Sequence, residues 1–275
     1  MMNYMNYLIS IPCGGYKCCV GFGIGIEIKK MIEKMNNWNS TINNWNSTIN
    51  NISYAGVSSG AFIAFILCHN SSIKYKQIVL KKIIDIETSN TTKFIQVDKI
   101  RELMHKMLLP NDNDYLQFNN KLHIGLAYNF KFTIINNFSS NTYLLDILIA
   151  SITLFPITYD LFQWIHICNS SNDKMDNTKG IAFDGAYYKS RVFIDAYGTI
   201  GTFGTFGAYI TYTFDYDEIG ITDEYFLLNK DNKTYEQLIL FGQQYVKNNY
   251  KLIKSTLKNY TYNRKYYKKY DYSRW

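Results

Sequence analysis

The stretch Ile52 to His69, ISYAGVSSGAFIAFILCH, holds two elements and the turn between them. Ile52 to Val57 is short and apolar, which predicts a strand, and Ser59 to His69 is apolar on nearly every side, which predicts a buried helix. Between them stands a G-x-S-x-G, Gly56-Val57-Ser58-Ser59-Gly60. A serine at the tip of a strand-to-helix turn sits in strained backbone geometry. The residues two before and two after it then approach closely, so both must be small. The helix that begins at Ser59 turns its positive end toward negative charge developing at that tip.

Working outward, the same alternation recurs. Tyr7 to Ile11 reads as a strand, closed by Pro12 and opened into a loop by Gly14 and Gly15. Cys18 to Lys34 has helical spacing, and its Gly21, Gly23 and Gly25 are small enough for close packing on a sheet. Gln77 to Ile86 and Lys93 to Met107 read as helical or mixed surface segments, and Leu122 to Asn136 as a hairpin or two strands. Tyr143 to Ile152 predicts a helix ending before Pro156. Gly180 to Phe183 and Ala208 to Phe214 predict strands, and Gln237 to Leu257 one terminal helix. Strands alternating with helices favour an α/β architecture. A tandem repeat, Asn36 to Ile42 and again Asn43 to Ile49, reads as a low-complexity insertion in a loop. Its Trp38, Ile42, Trp45 and Ile49 also fall at helical spacing, but Asn, Ser and Thr are poor helix formers.

Composition sets the class. The 275 residues are 47% hydrophobic and 19% charged, the balance of a folded globular chain rather than a disordered one. The net charge of +7 is unevenly placed: residues 247–275 carry +8 and the first 246 sum to −1. The expected organisation is one domain over 1–246 and a basic, Tyr-rich C-terminal helix or tail over 247–275. Neither apolar run, Tyr7 to Ile28 or Leu144 to Phe155, has the roughly 18 uninterrupted apolar residues of a membrane span. No basic residue precedes the first run as in a signal peptide, so a cytoplasmic protein, peripheral at membranes at most, is expected. Five cysteines, an odd number and without zinc-site spacing, read as reduced thiols.

A nucleophilic Ser58 needs a base. The four histidines are His69, His105, His123 and His166, and none lies in the last 109 residues, where an ordinary α/β-hydrolase would place its triad histidine. Each reads better as structural. Asp184, in Phe183-Asp184-Gly185-Ala186, has two readings. At a strand end it can accept a hydrogen bond directly from a serine hydroxyl; locally, Asp-Gly is also a common turn. Gly14-Gly15, with Lys17 following, can aim backbone N–H groups at an oxyanion. A phosphate loop would look similar, but the Walker pattern is missing.

In order along the chain these elements resemble the patatin-like phospholipase family, over roughly Leu8 to Tyr187. Cys13-Gly14-Gly15-Tyr16-Lys17-Cys18 is similar to its glycine-rich oxyanion loop, and Gly56 to Gly60 to its G-x-S-x-G. Asp184-Gly185-Ala186 is similar to its Asp-Gly-Gly/Ala, and Ala150-Ser151 through Pro156 to its Ala-Ser-x-x-x-x-Pro. Cys13 and Cys18 stand where the family has glycine. The resemblance implies a three-layer α/β/α sandwich with a central mixed, mainly parallel sheet, and a serine lipid acyl hydrolase of phospholipase A or esterase type. Ser58 would be the nucleophile, Asp184 the general base, and Gly14, Gly15 and Lys17 the oxyanion site. Gly56, Gly60, Gly185 and Ala186 would complete the motifs, with no metal and no cofactor.

The competing expectation is a catalytically impaired member with a lipid-binding or structural role, its oxyanion loop altered by the two cysteines. A triad esterase using His166 stands third. The tail's nine Lys and Arg, interleaved with Tyr260, Tyr262, Tyr266, Tyr267, Tyr270, Tyr272 and Trp275, suit an anionic membrane surface. They also suit single-stranded nucleic acid, the less expected partner, or a solvated end with no partner.

Overall fold

The computed structural model describes residues 6–43, 52–89, 96–153, 163–165, 180–185, 209–212, 219 and 234–259. His166, Cys168, Ala186, the second copy of the repeat from residue 44 and the tail from residue 260 lie outside them. Seven strands form one mixed sheet. Four of them, β7 (Tyr209–Tyr212), β1 (Asn6–Ile11), β2 (Ile52–Val57) and β3 (Leu122–Tyr128), lie side by side and parallel. Parallel neighbours need crossovers, and α1 (Cys18–Asn43) supplies the one from β1 to β2. β4 (Lys131–Ile135) and β6 (Gly180–Asp184) run antiparallel to β3, and β5 (Gln163–Ile165) runs antiparallel to β6.

β1 and β2 are buried on both faces. Tyr7, Ile9, Ile11 and Tyr54 join the main core, whereas Leu8, Ala55 and Val57, the alternate residues, form a separate buried cluster. The main core is sealed by α1, α2 (Ser59–Cys68), α5 (Asn141–Ile152) and α6 (Tyr235–Asn248), with Phe22, Phe65 and Phe118 fully enclosed. Each such side chain contributes about 1.5–3 kcal/mol on burial. As predicted, α2 has no solvent face: every residue from Gly60 to Cys68 is buried. Its last carbonyls are met by a buried cation, Lys76 Nζ donating to Leu67 O at 2.5 Å. Burial there pushes the Lys76 pKa down to about 8.

Side chains mark the helix starts. Ser72, Ser140 and Thr234 each accept a hydrogen bond from the backbone N–H three residues on, opening α3 (Ile73–Thr88), α5 and α6, and Gln237 completes a capping box at the last. α4 (Val97–Leu108) packs between α3 and α5.

Three expectations need correction. The first copy of the repeat is not an insertion in a loop, because α1 continues through it to Asn43. Gly23 and Gly25 do not pack on a sheet. A Cβ at Gly23 would overlap the Ile239 carbonyl of α6, and one at Gly25 would meet Leu67 Cδ1 of α2. Both glycines serve helix-to-helix contacts. The terminal helix is two, α6 and α7 (Tyr250–Asn259), separated at Asn249. α6 runs unbroken across residues 246 and 247, and Ile253 of α7 is buried in the core. No helix among the described residues is long and apolar enough to cross a membrane.

Candidate active site

The turn after β2 has the backbone its motif requires. Ser58 caps α2 with φ 56° and ψ −135°, a conformation few residues other than glycine adopt. Such strain costs on the order of 1–3 kcal/mol and persists only where the surroundings fix it. Both glycines of the motif are there for space. A Cβ on Gly56 would fall into the Gly60 carbonyl, and one on Gly60 would fall 2.6 Å from Pro12 O. The first turn of α2 therefore lies directly on β2 and against the end of β1, leaving Ser58 half-buried at the tip.

The loop after β1 arrives at the same place. Gly14 N–H donates to Ser59 Oγ at 3.2 Å, which ties the loop to the residue after the candidate nucleophile. Gly15 has φ 52° and opens a single 3₁₀ turn, Gly15 to Lys17, closed by Lys17 N donating to Gly14 O at 2.9 Å. Within that turn the left-handed conformation falls on Gly15, where glycine is needed. Cys18 is right-handed helical, φ −56° and ψ −27°, and Cys13 is not among the residues of positive φ. The two cysteines thus occupy positions any residue can take. Lys17 is buried. Cys18 and Cys19 are free thiols; a hydrogen bond with Cys18, ahead of burial, raises the Cys19 pKa. Tyr16 is pushed up to about 12, chiefly by burial.

Strand pairing places Asp184. Along β3, β2 pairs with Leu122 to Gly125 and β4 with Ile124 to Tyr128, so these two strands occupy opposite edges. β6 shares Leu126 to Tyr128 with β4 and must therefore lie on the β2 edge, beyond the end of β2. β2 and β6 run toward each other along that edge and stop there, Val57 opposite Gly125 and Asp184 opposite Leu126. Consecutive strand residues are about 3.3 Å apart. Ser58, the residue after Val57, and Asp184 are brought from sequence positions 126 apart to neighbouring places on the sheet. Asp184 is fully buried and its N–H donates to Thr153 O at 3.0 Å. Asp184 ends a strand, and Gly185, the next residue, already lies in a 3₁₀ turn. A Cβ on Gly185 would lie 3.1 Å from Leu126 Cα, so this glycine lets the chain hug β3.

No histidine of the described residues shares this position. His69 follows the far end of α2, where its Nδ1 accepts from Ser71 N, and His105 is exposed on α4. His123 is level with Ala55 in the sheet, three strand residues before Leu126, about 10 Å along β3. Burial there pushes its pKa down to about 4, so it is neutral near pH 7.

Sequence reasoning named Ser58, Asp184 and the glycines, but gave no part to Ser59, whose hydroxyl anchors the loop. The doubled serine of Gly56-Val57-Ser58-Ser59-Gly60 was its only signal. Among the described residues no group of three or more His, Cys, Asp or Glu side chains is arranged to hold a metal ion. Comparison with models of known protein families and with curated proteins finds no match to this chain.

Proposed function

We propose that this protein is a serine lipid acyl hydrolase of phospholipase A or esterase type, working through a Ser58–Asp184 dyad on a three-layer α/β/α fold. The observation that carries the reading is the head-on meeting of β2 and β6, which sets the strained Ser58 beside the buried Asp184. Burial of both faces of β1 and β2 supports the third layer.

In this mechanism Asp184 takes the proton of Ser58 Oγ as the oxygen attacks an ester carbonyl. The tetrahedral oxyanion is received by the N–H of Gly15 and by that of Ser59, one of the orphan donors at the start of α2. Gly14, tied to Ser59, anchors the loop, and Lys17 adds positive charge to it. Collapse breaks the ester C–O bond, and the departing alkoxide takes the proton from Asp184. Water, deprotonated by the same carboxylate, then cleaves the acyl-enzyme and releases the fatty acid, and Asp184 returns that proton to the departing Ser58 Oγ. The cysteines at 13 and 18 do not argue for an impaired member, since neither demands a left-handed backbone.

The test is hydrolysis of p-nitrophenyl butyrate and of phosphatidylcholine by the purified protein. Ser58→Ala is expected to lower turnover at least about 10³-fold, and a fluorophosphonate to label Ser58. Equal turnover in wild type and Ser58→Ala, or none in either, defeats the reading.

The same proposal includes peripheral contact with anionic membranes through 247–275. Leu252, 66% exposed on α7 beside Lys251 and Lys254, supports it. Removing 260–275 is expected to weaken binding to phosphatidylserine vesicles in a salt-dependent way while soluble-ester turnover persists. Vesicle binding indifferent to that deletion removes the membrane role.

A further inference from the structure

The strain at Ser58 has to be held by something, and the last turn of α5 is where the hydrogen bonds lead. Ser58 N–H donates to Ser151 Oγ at 3.0 Å, and Ser151 Oγ donates its own proton to Gly125 O at 2.8 Å. That second bond fixes the hydroxyl, leaving its lone pairs toward Ser58. Ser151 is fully buried. A serine within a helix ordinarily returns its hydroxyl to the carbonyl four residues back. Thr153 does so, bonding Ile149 O at 2.9 Å, whereas Ser151 reaches across to the sheet.

Two residues after Ser151, Thr153 O accepts the Asp184 N–H. Gly125, which Ser151 holds, precedes Leu126, the β3 partner of Asp184. The backbones on both sides of the candidate dyad thus hang from one three-residue stretch.

We propose that Ser151 is a positioning residue. By accepting the Ser58 N–H and donating to Gly125 O, it fixes the strained Ser58 backbone at the spacing from Asp184 that proton transfer needs. This rests on the dyad reading for its catalytic consequence, but the bracket itself is a structural claim. Misplacing a nucleophile by about 1 Å costs on the order of 10²-fold in turnover, so the hydroxyl acts on kcat rather than on substrate binding.

The experiment compares wild type with Ser151→Ala and Ser151→Thr, by ester turnover and by hydrogen exchange of the backbone around Ser58. Ser151→Ala is expected to lower kcat about 10- to 100-fold with KM within about twofold. Exchange in the peptide carrying Ser58 should accelerate, while Ser151→Thr, which keeps the hydroxyl, should recover at least a tenth of wild-type turnover. Should Ser151→Ala not fold, Ser151→Cys replaces it, keeping the volume with a weaker acceptor. Unchanged exchange at Ser58 overturns the bracket, whatever the activity. Faster exchange with kcat within twofold of wild type overturns the positioning role and leaves the dyad standing. A wild type with neither turnover nor labelling at Ser58 overturns the dyad, and the catalytic role of Ser151 with it.

Discussion

Gly15 carries the one left-handed backbone in the loop after β1, and its N–H opens the 3₁₀ turn facing the start of α2. A β-branched residue there meets the penalty for positive φ that glycine avoids. Gly15→Val is expected to lower ester turnover on the order of 10²-fold, the usual cost of one oxyanion donor, with folding retained by circular dichroism. Unchanged turnover in the folded variant would take this loop out of the mechanism. At this scale much of the site was legible. Gly56 and Gly60 are dictated by contacts a Cβ would violate, a Cβ at Gly185 would be tight, and such glycines announce themselves as motifs. Cys13 and Cys18 were not interpretable beforehand, because whether a loop position needs glycine depends on a φ that the residue type does not reveal. Ser59 and Ser151 stayed without a role for a related reason: a hydroxyl's partner is chosen by tertiary geometry, 45 and 93 residues away respectively.

Helices and strands were legible in kind and less so in partner. The apolar strand at Ile52 and the all-apolar α2 follow directly from their residues, whereas the glycines of α1 show where local pattern runs out. Glycine weakens a helix by about 1 kcal/mol relative to alanine, so Gly23 and Gly25 cost α1 intrinsic stability. What they permit is a close crossing: Gly23 meets the backbone of Ile239 and Gln243 on α6, and Gly242 returns the contact against Val20 and Ile24. The two positions should therefore respond differently to the same change. At Gly25 the neighbour is the end of a flexible leucine, and alanine there is expected to change stability by less than about 1 kcal/mol, since propensity offsets the contact. At Gly23 the neighbour is a carbonyl that cannot swing aside, and alanine should cost about 1–3 kcal/mol. Urea midpoints of the two variants check this, and equal shifts would contradict the crossing. The repeat failed for a propensity reason as well. Asn, Ser and Thr argue against helix, yet a long helix already begun adds each further residue at little cost, and α1 runs on to Asn43.

At the scale of the whole molecule, the candidate site depends on strand order, which no local pattern encodes. Asp184 comes level with the end of β2, which Ser58 follows, only if β6 takes the edge of β3 beyond β2 and runs backward along it, a pairing across more than 50 residues. That pairing appears only in the register. The same sheet buries His123, and this has a consequence for the entire chain. Its pKa is about 6.5 when unfolded and is pushed down to about 4 by burial in the fold. Above pH 6.5 both states are neutral there, and the group adds no pH dependence. Between 6.5 and 4 the unfolded chain binds a proton that the folded chain refuses, so stability falls as pH falls. At 1.36 kcal/mol per pKa unit, this one side chain removes about 3 kcal/mol by pH 4, a large share of the roughly 5–15 kcal/mol that hold a domain together. Carboxylates add their own acid sensitivity, but they do so equally in a variant lacking the imidazole. His123→Leu keeps the volume and removes the titration, so the comparison isolates it. From pH 7.5 to 4, urea midpoints of the wild type are expected to fall more steeply than those of His123→Leu, the gap changing by about 3 kcal/mol. Parallel curves would mean that His123 takes up its proton in the fold as readily as in water.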